Sequence, residues 1–185
     1  MTKIAILSSH NGSGFDTLFH AQKELNISIE VLISNNTDAK SLQKAKSRNI
    51  ETHIINAKTS DTPDLKILEI LKMKQCKFVF LSGYMKKLSA EITKHFTVIN
   101  SHPSLLPKYG GKGMYGRHVH EAVIHNKESK SGCTLHYVNE VYDEGKIILQ
   151  NTLILTPNED VDSLETKIKE LERTTILEGF KRCLN

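Results

Sequence analysis

The sequence predicts an α/β fold built on a mostly parallel, doubly wound sheet that ends in antiparallel strands. Two observations carry this. Through residues 1–100, short β-branched apolar runs alternate with stretches of helical period, the pattern of successive βα units. After Asn100 the alternation stops, and a Gly- and Pro-rich segment, a helix, two long β-rich runs and a C-terminal helix follow.

Taken in order, Lys3 to Ser9 reads as a first, buried strand. Gly12 and Gly14 break it, and apolar periodicity from Phe15 to Leu25 predicts a helix. Ile27 to Ser34 is the second strand, and Asp38 is placed to cap a helix through Arg48. Thr52 to Asn56 is the third strand. Leu65, Leu68, Ile70 and Leu71 mark a helix over 64–75. Lys77 to Ser82 is the fourth strand, Ser89 to His95 a short helix, and Thr97 to Asn100 the fifth strand. Ser101 to Gly116 is a loop of a length that is usually functional or disordered. A helix over 117–126 closes it. Gly132 to Val141 and Lys146 to Leu155 then read as antiparallel strands around Tyr142-Asp143-Glu144-Gly145. The last helix, 160–184, carries Val161, Leu164, Ile168, Leu171, Thr175 and Leu177 along one face.

A chain of 185 residues suits one domain, here with a βα half over 1–100 and a loop, hairpin and helix half over 101–185. With 38% hydrophobic and 25% charged residues, the composition is that of a globular chain, not a disordered one. No apolar run approaches the roughly 18 residues of a membrane span, and the N-terminus reads as a strand, not a signal peptide. Cys76, Cys133 and Cys183 have no metal-ligand spacing and fit reduced thiols in a cytoplasmic protein. The net charge of +4 suits small anionic substrates. Nucleic acid is not an expected partner, because the lysines are scattered and aromatics are only 6%.

In a parallel sheet, ligands bind at the carboxyl ends of the strands, where three loops stand. The first, Ser9-His10-Asn11-Gly12-Ser13-Gly14, is a Gly-rich turn into a helix that can present backbone N–H groups to an anion. Such turns also contain Gly for geometry alone, and no Lys-Ser/Thr follows to make this a P-loop. The second, Ser82 to Leu88, offers Met85 and Leu88 to a flat ring, or to the core. The third is Asn100-Ser101-His102-Pro103-Ser104-Leu105-Leu106-Pro107. Asn100 and His102 project to the same side if the chain is extended, which Pro103 favours at His102. An imidazole can move a proton near neutral pH, and an amide N–H beside it can stabilise an oxyanion. His20, His53, His95, His118, His120 and His125 read as solvated or packed, and no zinc site is expected. His136 lies on a strand near the third loop, suited to packing or support. Asp143 is a turn former unless the fold brings it to His102.

LSGYMKKLS, VINSHPSLLPKYGG and TLHYVNEVYDEGKIILQ together resemble the glycinamide ribonucleotide formyltransferases of purine biosynthesis, over nearly the whole chain. The resemblance implies a single-domain, Rossmann-like formyltransferase fold with helices on both faces of the sheet. It implies transfer of a formyl group from 10-formyltetrahydrofolate, as co-substrate, to the amine of glycinamide ribonucleotide, without a metal. Asn100 and His102 would then polarise the formyl group, and Asp143 would hold His102 protonated. Gly12, Ser13, Gly14 and Phe15 would bind the ribonucleotide phosphate, with Lys169 and Glu172 as further ribonucleotide contacts. Met85, Lys86, Lys87 and Leu88, with Asn100, would bind the folate. No membrane partner is implied, and a homodimer is compatible with the resemblance.

The sequence departs from the family's common pattern at several places. His10 stands where a Gly is common, Gly14 where an Asn is common, and Lys86 where an Arg is frequent. The expected basic folate-tail contact falls near Ser60, which carries no charge, and the 110–116 loop is longer and richer in Gly. A formyltetrahydrofolate deformylase-like hydrolase and a non-catalytic folate- or nucleotide-binding module are the competing readings. The chain begins directly at the first strand, which favours the transferase over the deformylase.

Overall fold

The structure, a computed structural model, describes residues 1–184. The chain forms two compact units, Met1–Ile99 and Asn100–Asn185, whose boundary falls inside one strand. The fold class is α/β with seven strands, as expected.

The first unit contains β1 (Thr2–Leu7), α1 (Ser13–His20), α2 (Gln22–Leu25), β2 (Ile27–Ser34), α3 (Lys40–Ser47), β3 (Glu51–Ile54), α4 (Pro63–Met73), β4 (Phe78–Leu81), α5 (Ala90–His95) and the first half of β5 (Thr97–His102). Its strand order is β3-β2-β1-β4-β5, and the pairs β1–β2, β1–β4 and β2–β3 are parallel. Ile4 to Leu7 and Phe78 to Leu81 are continuous buried apolar runs, as strands covered on both faces require. Phe15, Leu18 and Phe80 are fully buried in the same unit.

Two local expectations need correction. The helix expected over 15–25 is two helices, because Ala21 leaves helical geometry at φ −96° and ψ 4°. Asp38 does not cap α3. Its backbone N–H is held by the Asn36 side chain at 3.1 Å, and Ala39 takes the cap position in extended geometry.

The second unit holds the end of β5, α6 (Arg117–His125), β6 (Lys130–Tyr137), β7 (Ile147–Ile154) and α7 (Val161–Leu184), with strand order β5-β6-β7. β6 and β7 are antiparallel as expected, but β6 stops at Tyr137 rather than Val141. Their register slips between Leu135 and His136, an irregularity of the kind that re-aims a side chain beside a site. Val123 of α6 packs with Leu164 and Ile168 of α7, and Tyr109 and Leu171 lie against this cluster.

Candidate active site

In the first unit the strand order reverses between β1 and β4, the place where open α/β sheets bind ligands. The loops leaving these two strands are the first two loops singled out from the sequence, and they are knitted together. Ser9 donates its N–H to the Gly83 carbonyl at 3.2 Å. The Met85 N–H donates to the Ser9 hydroxyl at 2.8 Å, and that hydroxyl donates to Asn35 Oδ1 at 2.5 Å. Gly12 adopts a left-handed conformation, φ 67°, as the residue before α1. The turn therefore directs the N-terminus of α1, with its positive dipole end, at this loop. Phe15 contributes differently from expectation. Its side chain is core, and its N–H is engaged by the Ser82 hydroxyl at 3.0 Å. A Cβ on Gly14 would come within 2.7 Å of the Phe80 ring, a physical reason for Gly at this position. Met85 is half-buried, Lys86 and Lys87 are exposed, and Leu88 is buried.

The second unit brings Asn100, His102 and Asp143 together. β5 runs through His102, so Asn100 and His102 are alternate residues of one strand and share a face. Asp143 arrives from the turn between β6 and β7, in a left-handed conformation at φ 58°. Gly145 seats this turn: a Cβ there would fall 1.6 Å from the Tyr137 carbonyl oxygen, while Tyr137 N–H donates to Lys146 O at 2.9 Å. Asp143 Oδ2 then accepts the Gly111 N–H at 2.8 Å and lies 3.6 Å from His102 Nδ1.

His102 is buried, and its two ring nitrogens face different oxygens. Nε2 lies 2.7 Å from the Tyr109 carbonyl, which can only accept, so Nε2 carries a proton. Nδ1 is left facing the Asp143 carboxylate, beyond hydrogen-bond length. His136 supports the neighbouring amide. Its Nδ1 bonds the Tyr137 carbonyl at 3.0 Å, so Nε2 accepts from Asn100 Nδ2 at 3.1 Å. Burial holds His136 below the usual histidine range, which keeps that lone pair available. The 3.6 Å approach of His136 Nε2 to Asp143 Oδ1 is therefore not an ion pair.

On α7, Glu172 accepts the Ser101 hydroxyl at 2.6 Å, which ties it to the segment between Asn100 and His102. Lys169 is exposed and paired with Glu165 at 2.6 Å. Among the described residues, no group of His, Cys, Asp and Glu is arranged to hold a metal ion. Among these residues, too, no helix is long and apolar enough to cross a membrane. The sequence reading gave no site role to Tyr109, Gly111 or Ser101. Tyr109 and Gly111 act through main-chain atoms, which leave no mark in residue type. The hydroxyl of Ser101, between Asn100 and His102, was the one available signal.

The arrangement presents an amide N–H, an imidazole nitrogen and a carboxylate, group types suited to a developing oxyanion and a departing proton. Residues 2–179 match the family model described as formyl transferase. A chloroplastic phosphoribosylglycinamide formyltransferase of Vigna unguiculata is 33% identical over 184 residues, 95% of this chain and 59% of that protein. The phosphoribosylglycinamide formyltransferase of Haemophilus influenzae is 33% identical over 179 residues, 93% of this chain and 82% of that one. The chain thus spans about six tenths of the plant relative's length. Among solved structures, the phosphoribosylglycinamide formyltransferase of Coxiella burnetii is similar with a TM-score of 0.88 and 32% identity, over 97% of this chain and 85% of that one. That of Bacillus halodurans has a TM-score of 0.90 and 28% identity, over 100% and 96% of the two chains.

Proposed function

The chain belongs to the formyl transferase family, and from that premise we propose that it transfers the formyl group of 10-formyltetrahydrofolate to the amine of N1-(5-phosphoribosyl)glycinamide, a step of purine biosynthesis. The observation that carries the reading is the convergence of Asn100, His102 and Asp143 within one unit, with Asp143 Oδ2 and His102 Nδ1 at 3.6 Å. The amine attacks the formyl carbon directly. Asn100 Nδ2–H and the Nδ1–H of His102 stabilise the oxyanion that forms. Asp143 takes up the proton that the amine loses as the new C–N bond forms. Collapse of the intermediate breaks the bond to N10 of the folate, and that nitrogen takes from Asp143 the proton that the amine gave up. Because Tyr109 engages Nε2, Nδ1 is the nitrogen assigned to the reaction.

The same reading gives the ribonucleotide phosphate to Gly12, Ser13 and Gly14, the ribonucleotide further contacts at Glu172 and Lys169, and the folate to Met85, Lys86, Lys87 and Leu88. The Ser9–Met85 hydrogen bond, which joins the first two of these loops, supports that pairing. Three free cysteines fit a reducing compartment, which supports the cytosol as the site of the reaction.

The test is a formyl-transfer assay with both substrates, each then omitted in turn. Release of tetrahydrofolate only when the ribonucleotide is present is expected. Release with water alone would establish the deformylase instead, and folate binding without turnover would establish a binding module.

A further inference from the structure

We propose that Tyr109-Gly110-Gly111 is the positioning element for the His102–Asp143 pair, and that the Tyr109 phenol is its anchor. The inference rests on the reading of His102 as the catalytic imidazole. The backbone of this tripeptide touches both members of the pair. The Tyr109 carbonyl accepts from His102 Nε2 at 2.7 Å, and the Gly111 N–H donates to Asp143 Oδ2 at 2.8 Å. Between them, Gly110 runs so close to the turn that a Cβ on it would lie 3.1 Å from Asp143 Cβ.

Tyr109 is held in the left-handed region at φ 56°, as is Asp143 at φ 58°. Non-glycine residues seldom adopt this conformation, and it persists only where the surroundings over-determine it. Both groups that face the His102 ring therefore sit on constrained backbone. The constraint on Tyr109 comes from the far end of its own side chain. The phenol donates to Glu128 Oε1 at 2.9 Å and accepts from Asn126 Nδ2 at 3.0 Å. Lys108 closes the clasp on the same carboxylate at 2.9 Å. Its hydrogen bond holds Glu128 below the usual carboxylate range, so Glu128 stays an acceptor. The Tyr109 ring also packs beside Val123, Leu164 and Ile168. Residues just after α6 thus fix the residue whose carbonyl orients the imidazole, and they close the Gly-rich loop and α6 at their base.

The test compares Tyr109→Phe, which keeps the ring, with Glu128→Ala and Glu128→Gln, alone and in a His102→Ala background. It also uses ¹⁵N-histidine NMR of the substrate-free proteins. Tyr109→Phe and Glu128→Ala should lower kcat about tenfold, with both KM values within about twofold. Both should shift the His102 Nε2 resonance. Glu128→Gln, which keeps an acceptor for the phenol, should retain most of the rate. In the His102→Ala background neither loss should recur, because the positioned group is gone. An unchanged kcat in Tyr109→Phe would overturn the proposal. So would losses that multiply with His102→Ala while the His102 resonance stays in place, since Tyr109 would then serve the fold alone. If the wild-type protein transfers no formyl group, the functional reading fails, and the resonance still decides the positioning claim.

Discussion

Asn100 Nδ2 donates to His136 Nε2 at 3.1 Å, so a buried imidazole outside the proposed reacting set fixes which way the Asn100 amide faces. Replacing His136 with Ala leaves Asn100 without that acceptor and opens a buried gap. We expect kcat for formyl transfer to fall about tenfold or more, and unfolding free energy to fall by about 1–3 kcal/mol, the usual cost of an unsatisfied buried polar group. Steady-state kinetics beside urea unfolding checks both. A full rate in His136→Ala would show that the amide orients itself.

Stability should depend on pH through His136 and His120. Burial lowers both below the ordinary value of about 6.5. Below that value the unfolded chain takes up protons that the native state refuses. Stability is therefore complete above pH 6.5 and declines as pH falls toward the depressed folded values, by at most about 1.4 kcal/mol per pH unit for each histidine. Urea unfolding at pH 7.5, 6 and 5 reads this before most carboxylates titrate. An unfolding free energy that stays level across the series would contradict the burial argument.

His102→Ala and Asp143→Ala should each reduce turnover by about 10²–10⁴-fold, the usual range for a lost oxyanion donor or a lost proton acceptor. Circular dichroism should show the fold intact. Near wild-type turnover in either variant removes that residue from the mechanism.

Ser101→Ala should raise the KM for the ribonucleotide about tenfold, the lower end for the loss of one hydrogen bond to a charged group. It should leave the KM for the folate and kcat nearly unchanged. The motive is the 2.6 Å bond that holds Glu172, a proposed ribonucleotide contact. Equal effects on both KM values would mean that Ser101 supports the strand rather than the substrate.

The pattern of residues foretold some of these features better than others. β2 spans Ile27–Ser34, as its apolar run predicts. Asn100 and His102 share a face because alternate residues of any extended strand do, so their spacing was informative by itself. Asp143 could not be placed that way. Its approach to His102 depends on a β6–β7 turn seated by Gly145 and on the Gly111 N–H. The orientation of His136 follows a register slip at Leu135 that no residue type announces. Asp38 failed as a helix cap because Asn36 competes locally for its backbone. Side-chain chemistry was legible, and main-chain donors and acceptors were not.

Gly145 has no side chain that could bind, titrate or react. Even so, its smallest replacement would drive a methyl carbon into the Tyr137 main chain. In a saturation mutagenesis screen scored on growth, such a position would rank with the reacting side chains. Intolerance to substitution there would record a steric exclusion and not a chemical role, and catalytic residues inferred from tolerance maps of this protein would have to be separated from it by contact.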